Sequence, residues 1–158
     1  MKAVILCCGN PLAADDGFGI SVFDELKKKE LPENVQLICA GTAGLDLLFY
    51  IEGLDKVVIV DAIRSGREIG TIQRFTRDHF PEPSLVRFSL HELGLIDVIK
   101  AGDMTMQTNM PKDIVIIGVE IEKVNQIRWH VGLTPKVSQA IPSVVEMTLK
   151  EVFGGVVK

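Results

Sequence analysis

Four short apolar runs punctuate the chain: Ala3–Cys8 (AVILCC), Val35–Cys39 (VQLIC), Val57–Val60 (VVIV) and Ile114–Val119 (IVIIGV). Continuous rather than alternating hydrophobicity over this length predicts strands covered on both faces, as in a parallel sheet. Helical spacing fills the gaps between them. Ile20, Phe23 and Leu26 fall three apart, with Val22 one turn before Leu26, which predicts one apolar helix face. The Lys27-Lys28-Lys29 run reads as that helix's solvated end, where cations suit the macrodipole. Leu45–Ile51 after Gly44 predicts a second helix, and Leu93–Ala101, closed by Gly102, a third. Thr134-Pro135 supplies an N-cap and a first-turn proline for a last helix that runs to Phe153 before Gly154-Gly155, with Pro142 expected to kink or interrupt it. Gly70–Phe75 alternates and predicts an extra, more exposed strand, and Arg77–Val86, with Pro81 and Pro83, reads as a loop. This order predicts an α/β fold, a three-layer α/β/α sandwich with a mostly parallel central sheet. Residues 1–158 are expected to form a single domain, since no repeat, linker or low-complexity stretch divides them.

Composition removes several function classes. A length of 158 residues, 47% hydrophobic and 24% charged, is ordinary for one globular domain and too short for two. A net charge of −4 gives no basic footprint for nucleic acid or an anionic membrane. Three cysteines, Cys7, Cys8 and Cys39, without Cys-x-x-Cys spacing, point to neither a disulfide framework nor a thiolate zinc site, and fit a reducing cytoplasm. The apolar run at Ala3–Cys8 is too short for a leader or a membrane span, which fits a cytoplasmic protein, and a monomer is expected.

In open α/β sheets, ligands bind beyond the carboxyl ends of the strands. There the chain places Gly9-Asn10-Pro11-Leu12-Ala13-Ala14-Asp15-Asp16-Gly17-Phe18-Gly19, then Ala40-Gly41-Thr42-Ala43-Gly44, then Asp61-Ala62. Gly17 and Gly19 are expected to let backbone approach whatever fills the crevice. Asp15 or Asp16 can cap the helix that follows, and Asp61 can act as a cap too, but capping needs one carboxylate and leaves the others unexplained. Two aspartates at neighbouring strand ends repel, and one should titrate high unless a cation lies between them. Together they resemble part of a site for a hard or borderline metal. Of the three histidines, His79 lies in the proline-flanked loop and His130 beside Trp129, whereas His91, just before the third helix, is best placed to complete the site. Two carboxylates and an imidazole leave coordination positions open, as in a catalytic or exchangeable site for nickel, zinc or another divalent ion.

No phosphate loop, dinucleotide fingerprint or Gly-x-Ser-x-Gly elbow is present, and the cysteines lie in apolar strands where thiols serve as small hydrophobes. Gly41-Thr42-Ala43-Gly44 can cradle an anion or let the second helix pack closely. Arg77–Val86, the methionine-rich Gly102–Pro111 and Trp129-His130 are candidate walls of a peptide groove.

GNPLAADDGFG after the first strand, GTAG after the second, VDA after the third and His91 before a helix resemble the hydrogenase maturation endopeptidases, over nearly the whole chain and including the C-terminal GLTPKVSQAIP. The resemblance implies that Asp16, Asp61 and His91 are the metal ligands and the catalytic set. It implies nickel as the metal, delivered by the substrate, with other divalent ions able to occupy the site in isolation. The implied partner is the large-subunit precursor of a nickel-iron hydrogenase, whose C-terminal extension would be removed. Family members often carry Asp-Gly-Gly-Thr at the second turn, where this chain has Cys39-Ala40-Gly41-Thr42. Two other readings use the same residues. A non-catalytic nickel carrier would share the ligands; a receiver-type signalling domain would use Asp15, Asp16 and Asp61, but its acidic pair would lie directly at the strand end and a Lys-Pro would follow the final strand.

Overall fold

The computed structural model describes residues 1–83, 85–88, 94–122 and 129–154. Strands β1 (Ala3–Cys8), β2 (Val35–Gly41), β3 (Lys56–Arg64) and β6 (Asp113–Glu120) are parallel. Strand β4 (Ile72–Thr76) runs antiparallel beside β6, and the two-residue β5 (Arg87–Phe88) pairs antiparallel with the end of β3. The sheet order is β2-β1-β3-β6-β4.

That order dictates the layers. The chain leaves β1 outward to β2, then crosses back over β1 to reach β3, and right-handed crossovers place the two connecting helices on opposite faces. Accordingly α1 (Phe18–Leu26) packs on one face with α5 (Ile141–Phe153), while α2 (Leu47–Ile51) and α3 (Leu95–Thr105) pack on the other. Alternate strand residues serve the two cores. Ile5, Val58, Val60 and Ile117 meet Phe18, Val22 and Val144 on the α1/α5 side, whereas Leu6, Val57, Ile59 and Ile116 meet Leu47, Leu95 and Ile99 on the other. The α/β/α sandwich expected from the apolar runs is therefore the observed architecture.

The last helix breaks as Pro142 predicts. A four-residue helix α4 (Pro135–Ser138) ends before Ala140, and Pro142 sits in the first turn of α5, where its missing N–H costs nothing. Helix α5 stops at Gly154 in the left-handed conformation (φ 67°). Helix α3 departs from expectation. It runs through Gly102 to Thr105, and a side chain at Gly102 would press on Met110 and Leu48, so the glycine serves packing rather than termination. Strand β4 is the expected exposed extra strand, and Arg77–His79 forms a single 3-10 turn at the start of the expected loop.

At the amino end of the sheet, Glu151 of α5 accepts from Arg74 Nε (2.5 Å) and pairs with Lys56 Nζ (3.0 Å), which also donates to Asp113 (2.9 Å). Burial pushes the Glu151 carboxyl up, but hydrogen bonds from Arg74 and Lys56 outweigh it and hold the group below its ordinary value. A depressed carboxyl contributes stability above its unfolded pKa and loses it as pH falls through the folded value. Glu151→Ala is thus expected to lower stability by about 1–3 kcal/mol at pH 7. The difference from the unmutated chain should shrink at about pH 3, below the ordinary carboxyl range, read as urea midpoints at the two pH values.

Candidate active site

The reversal of winding between β1 and β3 opens a crevice at the carboxyl end of the sheet. Pairing of β1 with β3 ends at Cys7 and Val60, while β3 continues against β6 as far as Ile63 and Glu120. Asp61 is therefore the first residue of β3 beyond the last β1 partner. It lies within the strand rather than after it, three residues before the strand ends at Arg64. By the two-residue alternation its side chain shares the α2/α3 face with Val57, Ile59 and Ile63. Asp61 is fully buried and its Oδ1 accepts the Ala62 N–H at 2.8 Å, so it caps no helix.

The chain leaves β1 at Gly9 (φ 142°), whose N–H donates to the Gly41 carbonyl, and turns back on itself. Asn10 N–H donates to the Asp16 carbonyl, Asp16 N–H to the Ala13 carbonyl, and the Asn10 side chain accepts from Leu12 N–H. The 3-10 turn Ala14–Gly17 that results rests on β3 and carries Asp16, 3% exposed, inward. Asp16 Oδ1 lies 3.7 Å from Nη1 of Arg64, the last residue of β3. A cation therefore flanks the acidic pair, one that motif reading passed over.

The glycines of this loop serve the chain's own packing rather than a ligand's approach. A Cβ on Gly19 would stand 2.0 Å from the Cys8 carbonyl oxygen and 2.9 Å from that of Val60, and one on Gly17 would stand 2.8 Å from Pro11 Cα. Gly19 lets the first turn of α1 sit on the ends of β1 and β3. Gly41 and Gly44 differ, since nothing lies within 4 Å of either Cβ position and both are left-handed (φ 57° and 59°). They shape the second turn; they do not bring α2 closer.

Asp15, which motif reading offered as a helix cap, caps neither the 3-10 turn nor α1. Its carboxylate accepts from Thr134 N–H (2.7 Å) and Thr134 Oγ1 (2.9 Å), and the adjoining backbone forms a parallel bridge between Ala13 and His130. Thr134 precedes α4 as expected, but its hydroxyl goes to Asp15. Charge-assisted hydrogen bonds of this kind are the strong ones. Asp15→Ala is expected to cost about 2–3 kcal/mol in guanidinium unfolding, and Asp15→Asn less, because the amide oxygen still accepts from Thr134.

Glu120, fully buried at the end of β6, accepts from Ser65 N–H (2.8 Å), Ser65 Oγ (2.6 Å) and Gly66 N–H (2.9 Å), fixing the turn that follows Arg64. Its signal in the sequence is a lone acid closing the apolar run IVIIGV.

Of the expected site residues, Asp16 and Asp61 are both buried on the rim of this crevice, whereas His91 lies outside the described residues. Among the described residues no three metal-binding side chains form a cluster. His79 sits at the end of β4, beside Thr76 (3.3 Å), and His130 is exposed on the crevice rim. Trp129, also exposed, precedes His130 at this bridge to the first loop. Gly102–Pro111 does not reach the crevice: Asn109 accepts from Gly53 N–H and the segment leads into the start of β6, at the opposite end of the sheet. Arg77 also starts there, paired with Asp103 of α3, so only the far end of its loop, near β5, nears the crevice.

Cys7 and Cys8 are buried, and burial, with smaller contributions from neighbouring thiols and Asp61, pushes both thiols well up. Cys39 is exposed. Brief iodoacetamide treatment of the folded chain should therefore place one adduct, on Cys39, and three after denaturation, counted by intact mass.

The family profile described as hydrogenase maturation protease (HycI) matches residues 20–151. Hydrogenase 2 maturation protease of Escherichia coli is 32% identical over 151 residues, covering 94% of this chain and 89% of that protein. Coenzyme F420 hydrogenase subunit delta of Methanothermobacter thermautotrophicus is 32% identical, covering 96% and 94%. The structure of the hydrogenase maturating endopeptidase HybD from E. coli superposes with a TM-score of 0.82 at 30% identity, covering 98% of this chain and 93% of that one. Among the described residues no helix is long and apolar enough to cross a membrane. The chain, with its buried acidic pair at the winding reversal, belongs to the hydrogenase maturation protease family and is a peptidase.

Proposed function

We propose that this chain removes the C-terminal extension of a nickel-iron hydrogenase large-subunit precursor, and that nickel reaches the site as part of that substrate, held by Asp16, Asp61 and His91. The observation that carries the reading is the burial of two carboxylates, Asp16 and Asp61, at the switch point of a maturation protease fold. Buried carboxylates are costly unless a positive charge meets them, and a borderline cation such as nickel accepts oxygen and imidazole donors.

A bound divalent ion supplies Lewis acidity toward a carbonyl or a water molecule. The chain's own part is positional. Asp61 is fixed by its bond to Ala62 N–H inside β3, and Asp16 by the backbone bonds of the first loop, so neither needs to reorganise as the precursor docks. Water adds to the scissile carbonyl carbon, the C–N bond breaks, and the departing amine takes up a proton. Exposed Leu12, Trp129 and Val131 on the rim offer apolar contact for the precursor tail.

Intact-mass spectrometry of a cognate precursor, nickel-loaded and nickel-free, after incubation with the chain and with Asp16→Asn, tests this reading. Loss of a C-terminal peptide only from the loaded precursor, and only with the unmutated chain, is expected. Equal cleavage of the nickel-free precursor would overturn the nickel requirement, and full cleavage by Asp16→Asn would remove Asp16 from the site.

A further inference from the structure

Arg64 ends β3 with its side chain 24% exposed and its guanidinium 3.7 Å from Asp16, which is almost wholly buried. Across the short β3/β5 ladder it faces Arg87, and residues directly opposite on an antiparallel pair share one face of the sheet. Like charges so placed repel, a cost that a neighbouring anion offsets. Arg64 thus carries a permanent positive charge at the mouth of the acidic crevice, next to one of its two buried aspartates.

We propose that Arg64 is a resident counter-ion that discriminates between free metal and metal delivered on a polypeptide. This inference rests on the reading of Asp16 as a ligand for the precursor's nickel. A hydrated dication arriving alone must displace the guanidinium from Asp16 and overcome the potential of two arginines. It has only its interaction with the carboxylates to do so. A dication carried by a docked precursor brings the free energy of the whole protein contact, which offsets the displacement. Partial exposure gives the Arg64 side chain a path outward to solvent as the substrate's metal takes its place. The result is a protease whose site holds free divalent ions weakly and favours metal that arrives on the docked precursor, so that Arg64 determines specificity without touching the scissile bond.

The test is calorimetric titration of the client-free chain with Ni²⁺ alone. Arg64→Gln is expected to bind Ni²⁺ about tenfold or more tightly than the unmutated chain, because a unit charge a few ångströms from the site is removed. Arg64→Lys, which keeps the charge, should stay within about threefold of the unmutated chain. The gain should vanish in Arg64→Gln combined with Asp16→Asn. No tightening in Arg64→Gln overturns the proposal, as does a gain that survives loss of the Asp16 charge. Should Arg64→Gln fail to fold, the Arg64 Nε–H resonance of the unmutated chain decides the matter. It should shift on saturation with Zn²⁺, and an unmoved resonance overturns the proposal equally. Precursor cleavage by the unmutated chain is scored separately. Cleavage without tightening in Arg64→Gln sinks this inference alone, and tightening without any nickel-dependent cleavage sinks the proposed function alone.

Discussion

Gly19→Val is expected to yield no folded protein, and Gly19→Ala a chain destabilised by about 3 kcal/mol or more. The backbone conformation at Gly19 is ordinary helix, so conformational strain is not the cause. A Cβ would overlap the Cys8 carbonyl oxygen at 2.0 Å and crowd that of Val60 at 2.9 Å, and both belong to central strands that cannot give way. Relief would require α1 to lift from β1 and β3 together, exposing Phe18 and Val22, which are fully buried. Gly41→Ala is the matched control. Its left-handed φ of 57° costs about 1–2 kcal/mol for any side chain, but its surroundings are open. Guanidinium unfolding of Gly19→Ala and Gly41→Ala should separate the two kinds of glycine, and equal destabilisation of the two would refute the packing account.

Asp61→Asn is expected to lose about 10³-fold or more in cleavage rate while leaving the unfolding midpoint unchanged or slightly raised. Asparagine has the same shape, and its amide oxygen still accepts from Ala62 N–H inside β3. What disappears is one buried negative charge, costly to the fold and useful only where a cation meets it. Single-turnover cleavage of a nickel-loaded precursor and thermal unfolding of the same preparation read the two effects together. A rate within tenfold of the unmutated chain would place the essential charge elsewhere. A large parallel fall in stability would instead make Asp61 a structural residue.

The parallel sheet was legible because AVILCC and VVIV hold apolar residues on both strand faces, which only a sheet sandwiched between helices needs. The acidic residues were legible as a group but not in their individual duties. Asp15 and Asp16 are chemically identical neighbours. Only the tertiary approach of Thr134, 119 residues away, assigns one to structure and leaves the other in the crevice. Asp61 read as following its strand because a charge ends an apolar run. The strand in fact continues, held by β6 after β1 has turned away. Arg64 and Glu120 gave no motif, since each draws its meaning from a partner distant in sequence, Asp16 for one and Ser65 for the other. Two residues are too few for a period, so β5 left no pattern to read.

The clasp between Asp15 and Thr134, with the Ala13 and His130 bridge beside it, also imposes an order of events on the ribosome. The six described strands are encoded by residue 120, yet the outer side of the first loop lacks its His130 and Thr134 partners until residues 130–134 have emerged. The sheet can collapse early, whereas the outer fastening of the Asp16 loop waits for a segment beyond β6. A nascent chain halted after β6 would therefore carry Asp16 on a loop without its outer clasp, and the complete site waits for residues 130–134.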